Sequence, residues 1–384
     1  MTTYLLFGLF AATLLGIATY HKRALTFAVV GLGLVLSVKL STPDFYLLQH
    51  AEHEWRTLLN LGGLLLGFTL LADSFERSGL PETLAAVLPG GRKGAFLLLV
   101  LVAVISSVLD NIAAALIGGA AATRLFKGRV HVGYVAAIVA ASNAGGAGSV
   151  LGDTTTTMIW LAGGRPIEVA EAAIGSLLAL AFFGGFASRQ QDRLQPLVKA
   201  TGPGASIDLV QILIVVAILA GAILANVLLG FPALGVWVAI LAGGLFRPLQ
   251  WQLLPGAARG TCFLLSLVMS ASLMPVQSLP PASPGTAFGL GVVSAFFDNI
   301  PLTALAIEQG GYDWGYLAYC VGFGGSMLWF GSSAGVAISG LFPEAKSAKN
   351  WLRHGWHIGV AYVIAFGGML LLLGWHAGAL HKPH

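Results

Sequence analysis

Charge is scarce in this sequence: Asp, Glu, Lys and Arg make up 9% of its 384 residues. Soluble domains carry roughly 25%, so the chain cannot clothe a large water-facing domain. Cysteine is nearly absent, and Cys262 and Cys320 both sit in apolar runs. That excludes a disulfide framework and a cysteine-based metal spacing, and leaves both as packing residues. No nucleotide-binding loop, metalloenzyme motif or nucleophile triad occurs. Without an ATP site, active transport must draw on an ion gradient; otherwise the chain is a passive facilitator. No cofactor is expected. The net charge of +4 is read as marking cytoplasmic loops rather than a nucleic-acid partner. What the sequence has instead is apolar length. Hydrophobic residues reach 57% and mean hydropathy is +0.84, which points to an all-α polytopic membrane protein with the lipid bilayer as its solvent.

Taken in order, Tyr4 to Tyr20 has no charge before it and His21-Lys22-Arg23 after it. A secretory signal carries its charge in front, so this reads as a retained span starting outside. Spans at 24–40 and 57–72 follow, then 94–126, whose two apolar arms surround Asp110-Asn111. A glycine-broken span (132–162) and a closing span (167–187) complete the first half. The second half repeats the order with spans near 207–229, 233–246 and 260–274, a hairpin at 287–308 turning at Asp298-Asn299, a broken span at 317–341 and a closing span at 358–374. In this layout all lysines and arginines except Lys39, Arg56, Arg165 and Lys382 face the cytoplasm. Both termini then lie outside a bacterial inner membrane. The hairpin arm 111–123 is shorter than the roughly 20 residues a spanning helix needs, which favours re-entrant hairpins.

The halves also share sequence. Ser107-Val108-Leu109-Asp110-Asn111-Ile112 recurs as Ala295-Phe296-Phe297-Asp298-Asn299-Ile300, and Asn143-Ala144-Gly145-Gly146 recurs loosely as Gly322-Phe323-Gly324-Gly325. Five spans per half is odd, so the second half enters from the opposite face. The expected fold is an inverted repeat of 5+5 transmembrane spans, each half with a re-entrant hairpin and a broken helix. Such repeats place their site near the midplane.

Candidate site residues follow from the cost of polarity there. A carboxylate at the bilayer centre costs about 2.5–3.5 kcal/mol on insertion scales. Asp110 and Asp298 occupy matched hairpin turns, where the alternative role is a helix cap. Asp153 is the acid of the first broken span and has no acidic counterpart in the second, where Ser326, Ser332 and Ser333 stand. Its alternative role is capping the half-helix at Thr154. Asn111, Asn143, Asn299, Ser142, Thr154 and Thr155 add carbonyl and hydroxyl oxygens that suit a hard cation. Gly145, Gly146, Gly152, Gly324 and Gly325 are read as the helix breaks. A tentative Na⁺ position lies at Asp153, Asn143 and Asn111. Glu308 reads as solvated, His131, His354 and His357 as interfacial packing, and Trp160, Trp329 and Trp375 as interface or packing anchors.

The stretch Ser142 to Ala147, followed by Gly152-Asp153-Thr154-Thr155-Thr156-Thr157-Met158, resembles the central signature of NhaD-type sodium/proton antiporters. Asp298-Asn299-Ile300-Pro301-Leu302 and the segments around Gly324-Gly325-Ser326 and Gly331-Ser332-Ser333 resemble its second-half counterpart. The resemblance covers most of residues 94–360 and points to the ion transporter superfamily. It implies a scaffold (1–93 and 207–286), a mobile transport domain (94–187 and 287–384) joined by a cytoplasmic linker (188–206), elevator-like movement and a homodimer. The implied activity is exchange of Na⁺ or Li⁺ for H⁺. A cation-coupled symporter of an organic or inorganic anion is the alternative, disfavoured because no Lys or Arg is evident inside the spans away from their ends. An intramembrane aspartyl hydrolase, which needs two close acids sharing a proton, is the remote one.

Overall fold

The computed structural model describes residues 2–20, 23–42, 45–198 and 206–380. His21, Lys22, Asp44, Lys199 and Lys382 lie outside the described residues, as does part of the expected linker. Among the described residues all regular structure is helical. The first half runs α1 (Thr2–Thr19), α2 (Ala24–Leu40), α3 (Leu47–Arg77), α4 (Leu80–Ala86), α5 (Gly91–Ser106), α6 (Asn111–Leu125), α7 (Val132–Ala147), α8 (Thr154–Leu161), α9 (Pro166–Ala170) and α10 (Ala172–Leu194). The second runs α11 (Leu209–Leu229), α12 (Pro232–Gly243), α13 (Leu254–Ser272), α14 (Pro284–Ser294), α15 (Asn299–Gln309), α16 (Trp314–Gly324), α17 (Ser333–Ile338) and α18 (Ala348–Leu372).

Among the described residues six stretches are long and apolar enough to cross a membrane: α1, α3, α9–α10, α11, α13 with its lead-in turn, and α18. The chain is a polytopic integral membrane protein. The paired helices are shorter. α5 and α6 have 16 and 15 residues, and α14 and α15 have 11 each.

Local chemistry sets many of these ends. Asp208 accepts from the N–H groups of Val210 and Gln211 at the start of α11, and Gly230 in the left-handed region (φ 60°) ends it. Ser283 and Thr286 form a capping box before Pro284 at the start of α14. Several boundaries differ from the sequence expectation. α3 starts at Leu47 rather than near Thr57, and α10 runs to Leu194 through residues expected to belong to the linker; α13 starts at Leu254 rather than near 260, and α18 at Ala348 rather than 358. The reason for the longer α10 is packing: Gln191 is fully buried, accepts from the His131 N–H at 2.7 Å and donates to the Arg129 carbonyl at 3.0 Å.

The interior divides into two apolar cores. One is built from α5, α7, α10, α16 and α18, with Tyr134, Phe183, Tyr319, Phe323 and Tyr362 at its centre. The other is built from α1, α2, α3, α11, α12 and α13, and it also takes in Met158 and Trp160 of α8 and Ile300 and Ala304 of α15. The short helices bridge the halves, since α6 packs on α17 and α15 packs on α8. The polar residues of both breaks therefore meet in one place.

The glycines act differently from expectation. Gly145 and Gly146 lie within α7, Gly324 ends α16, and Gly325 opens a 3₁₀ turn, so of the five only Gly152 and Gly325 belong to the interruptions themselves. None of the five has positive φ. Their role is close approach: a Cβ on Gly145 would run into the Ala103 carbonyl of α5, and one on Gly324 into the Gly291 carbonyl of α14. Each broken helix thus lies backbone to backbone against the first arm of its hairpin.

Candidate functional site

Four half-helices begin at the centre. Their N-caps are Asp110 (α6), Asp153 (α8), Asp298 (α15) and Ser332 (α17). A helix N-terminus presents unpaired N–H groups and about half a unit of positive charge, which makes an acidic cap locally favourable. The caps are not used alike. Asp298 accepts from the Ile300 N–H at 3.1 Å, and its second oxygen accepts from Ser333 Oγ at 2.7 Å. Ser332 accepts from the Gly335 N–H. Asp153 makes no side-chain cap bond to its own helix.

Its carboxylate is instead held by side chains. Thr155 Oγ1 donates to it at 2.8 Å, Asn299 Nδ2 at 3.2 Å and Asn111 Nδ2 at 3.3 Å. Asp153 is 3% exposed. Hydrogen bonds to a charged group contribute about 1.5–3 kcal/mol each, so three of them offset the cost of placing a carboxylate at this depth. Asp110 and Asp298 lie close enough to act electrostatically on it as well.

Asn143 extends the network across the repeat. Its Oδ1 accepts from Asn111 Nδ2 at 3.0 Å, while its Nδ2 donates to Ser326 Oγ at 2.9 Å and Ser332 Oγ at 3.1 Å. Seven of the expected residues are thereby joined: Asn111, Asn143, Asp153, Thr155, Asn299, Ser326 and Ser332. Four are not. The Ser142 hydroxyl donates to the Val139 carbonyl of its own helix, and Asp298 is engaged by Ser333. Asp110 and Thr154 instead line a cavity of about 270 Å³ with Asp153, facing Leu61, Leu64 and Phe68 of α3. Asp298 and Ser333 line a second cavity of about 250 Å³, facing Leu14 of α1 and Leu267 of α13. Among the described residues no Lys or Arg lines either one.

The remaining threonines staple the break. Thr156 donates to the carbonyls of Ser149 and Asp153, and Thr157 to those of Val150 and Asp153. Carbonyls freed by the interruption are satisfied in this way. A pair of staples was missed in the sequence. Ser106 Oγ donates to the Ser142 carbonyl at 2.6 Å, and Ser294 Oγ donates to the Val321 carbonyl at 2.8 Å. The signal was present, because these serines stand one residue before the aligned segments at Ser107 and Ala295.

The other singled-out residues lie elsewhere. His131 caps α7 with its ring against His354, while His357 is fully buried with Nε2 3.3 Å from Gln190 Oε1. His357 is thus an interior group rather than an interfacial one. Glu308, expected to be solvated, is half-buried. Cys320 is buried, but Cys262 is exposed on α13 and does not pack inside the chain. Trp160 is buried in the second core, and Trp375 packs on Tyr316. Among the described residues no group of three or more His, Cys, Asp or Glu is arranged to hold a metal ion.

The chain is 28% identical to sodium/proton antiporter 1 of Arabidopsis thaliana, over 94% of this chain and 71% of that protein. It is also 28% identical to sodium/proton antiporter 2 of the same plant, over 80% of this chain and 83% of that protein. The model of a family of membrane transporters, CitMHS, described as citrate transporter, matches residues 2–313. The chain belongs to the citrate transporter (CitMHS) family.

Proposed function

We propose that the protein exchanges Na⁺, or Li⁺, for H⁺ across a bacterial inner membrane, with both termini outside. The observation that carries this reading is the placement of Asp153: a buried carboxylate spared from capping its own helix and held by residues of both halves. Such a group takes either a proton or a small cation. The oxygens of Asn143, Ser326 and Ser332 stand next to it through the network, and hydroxyl and carbonyl oxygens suit a hard cation. Asn111 and Asn299 turn their amide nitrogens toward Asp153, so a bound cation replaces these donors at the carboxylate.

The citrate transporter family's name makes anion symport the second reading. Half-helix N-termini bind anions readily. Here three of the four carry an acidic cap of their own, and among the described residues no basic side chain lines the two cavities. A tricarboxylate would meet carboxylates, so cation exchange is favoured.

The mechanism is competition. The site crosses when Asp153 carries a proton or a cation, and an empty carboxylate is costly to move through an apolar barrier. The two cores supply the moving parts. The core of α1–α3 and α11–α13 is the scaffold, and α5–α8, α10 and α14–α18 form the body that slides against it in an elevator-like step. The pairs α5–α6 and α14–α15 act as re-entrant hairpins within an inverted 5+5 repeat, and the scaffold faces form a homodimer. The matched contacts of Gly145 with Ala103 and Gly324 with Gly291 support the repeat.

The test is proteoliposomes loaded with a pH-sensitive dye. Added Na⁺ drives proton movement with the wild-type protein and none above background with Asp153→Asn. Unchanged movement in the variant removes Asp153 from the mechanism.

A further inference from the structure

The two cavities beside the network are placed alike and lined differently. The first, at Asp110 and Asp153, has leucines of α3, the threonines of the break and one ring, Phe68. The second has four phenylalanines: Phe263 of α13, Phe296 and Phe297 at the hairpin turn, and Phe330 in the second break. Among the described residues its one ionisable group is Asp298. Each oxygen of that carboxylate accepts a single hydrogen bond, from the Ile300 N–H or from Ser333 Oγ, and keeps lone-pair capacity for a further donor.

This lining does not suit a small alkali ion, which needs a shell of oxygens. It suits a cation with an apolar body. An ammonium donates to the carboxylate and to Ser333 Oγ by charge-assisted hydrogen bonds. Phenyl rings attract the same charge through their faces and pack the attached hydrocarbon. The volume of about 250 Å³ lies just below the roughly 300–1,000 Å³ of drug-sized sites, so the body is small.

We propose that the cavity at Asp298 binds a small organic cation, a primary ammonium on one aromatic or branched aliphatic group. The occupant touches α13 of one core and the turn and break at Asp298 and Phe330 on the other side. It therefore ties together the two parts that must slide, and arrests exchange without being carried. Binding itself contains no transport step and goes beyond the exchange reading, while the arrest rests on that reading.

Phenethylammonium titrated into the purified full chain in detergent, followed by calorimetry, tests this, with neutral 2-phenylethanol as the isosteric control. The ammonium binds about tenfold tighter than the alcohol or better. Phe263→Leu and Asp298→Asn each bring it down to the level of the alcohol, whereas Phe68→Leu in the first cavity leaves it unchanged. Phe263→Leu stands on α13, outside the hydrogen-bonded network, and keeps the test decisive if Asp298→Asn does not fold. Equal binding of ammonium and alcohol, or binding insensitive to Phe263→Leu, overturns the proposal. Failure here is distinguishable from failure of the exchange reading, because the calorimetry needs no ion movement.

Discussion

The residue before α8 is Asp153, with φ −146° and ψ 147°, and the residue before α17 is Ser332, with φ −140° and ψ 152°. The two backbones are alike, as are the hairpin turns at Asp110 (φ −53°, ψ 140°) and Asp298 (φ −54°, ψ 141°). The side chains are employed differently. Ser332 caps its helix, whereas Asp153 leaves its own helix without a side-chain cap and is bonded by Asn111, Asn299 and Thr155. Two like backbone frames thus hold different groups, a carboxylate in one and a hydroxyl in the other. Asn143 has the same asymmetry: its second-half match is Gly322, which has no side chain to offer.

The comparison is broken most severely by exchanging the two caps. Asp153→Ser combined with Ser332→Asp restores the number of acids but not their neighbours, because Thr155 and Asn143 are matched in the second half by Ala334 and Gly322. The double variant shows no Na⁺-driven proton movement above background in proteoliposomes. Restored exchange would mean that the frames are interchangeable. Asn143→Ala removes the bridge to Ser326 and Ser332 while leaving Asp153 in place. Loss of these neutral bonds leaves buried partners unsatisfied at about 1–3 kcal/mol and lowers the transport rate by roughly five- to a hundredfold, read in the same vesicles.

Smaller changes separate hydroxyls that serve the site from those that serve the fold. Thr155→Val takes an oxygen and a donor from Asp153 and weakens apparent Na⁺ affinity by about tenfold, whereas Thr156→Val, whose hydroxyl bonds only backbone carbonyls, stays within about twofold. Titration of Na⁺ against proton flux distinguishes them, and equal effects would erase the distinction. Gly145→Ala forces a methyl against the Ala103 carbonyl. Overpacking of this kind costs about 1–3 kcal/mol and shows as a lower melting temperature in micelles, which Gly33→Ala, with open space around it, does not reproduce.

The smallest effect lies outside the membrane. The Arg247 guanidinium bonds Asp208, at 2.9 and 3.2 Å, and holds its carboxyl below the usual carboxylate value. A depressed folded value means stability that is full above the unfolded value of about 3.9 and is lost as pH falls through the folded one. Melting measured from about pH 5 down to about pH 3 therefore shows a wild-type decline that is shallower in Asp208→Asn.

Much of this was legible in the chain because it is local. The Asp-Asn turns, the break ending at Asp153 and the apolar spans are each written within a few residues, and α2 matches its expected bounds of 24–40. What was not legible depends on contacts between distant segments. That the Ser142 hydroxyl turns back to its own helix while Asn143, one residue on, reaches Ser332 follows from how α7 faces the second half. The glycines misled for the same reason: a residue that weakens a lone helix is also the one that lets two backbones touch, and only the neighbouring Ala103 carbonyl tells the two apart. The capping role foreseen for Asp153 was chemically sound. It is displaced because two asparagines from different hairpins and a neighbouring threonine donate to the carboxylate.

Competition at Asp153 is tested most directly by binding rather than transport. Na⁺ is titrated into the purified protein by calorimetry, in two buffers of equal pH and different ionisation enthalpy, so that protons released on binding are counted. At a pH where the empty site is protonated, Na⁺ binding releases about one proton per ion by linkage, and both binding and release vanish in Asp153→Asn. Na⁺ binding with no proton released at any pH, or release that persists in Asp153→Asn, would contradict it.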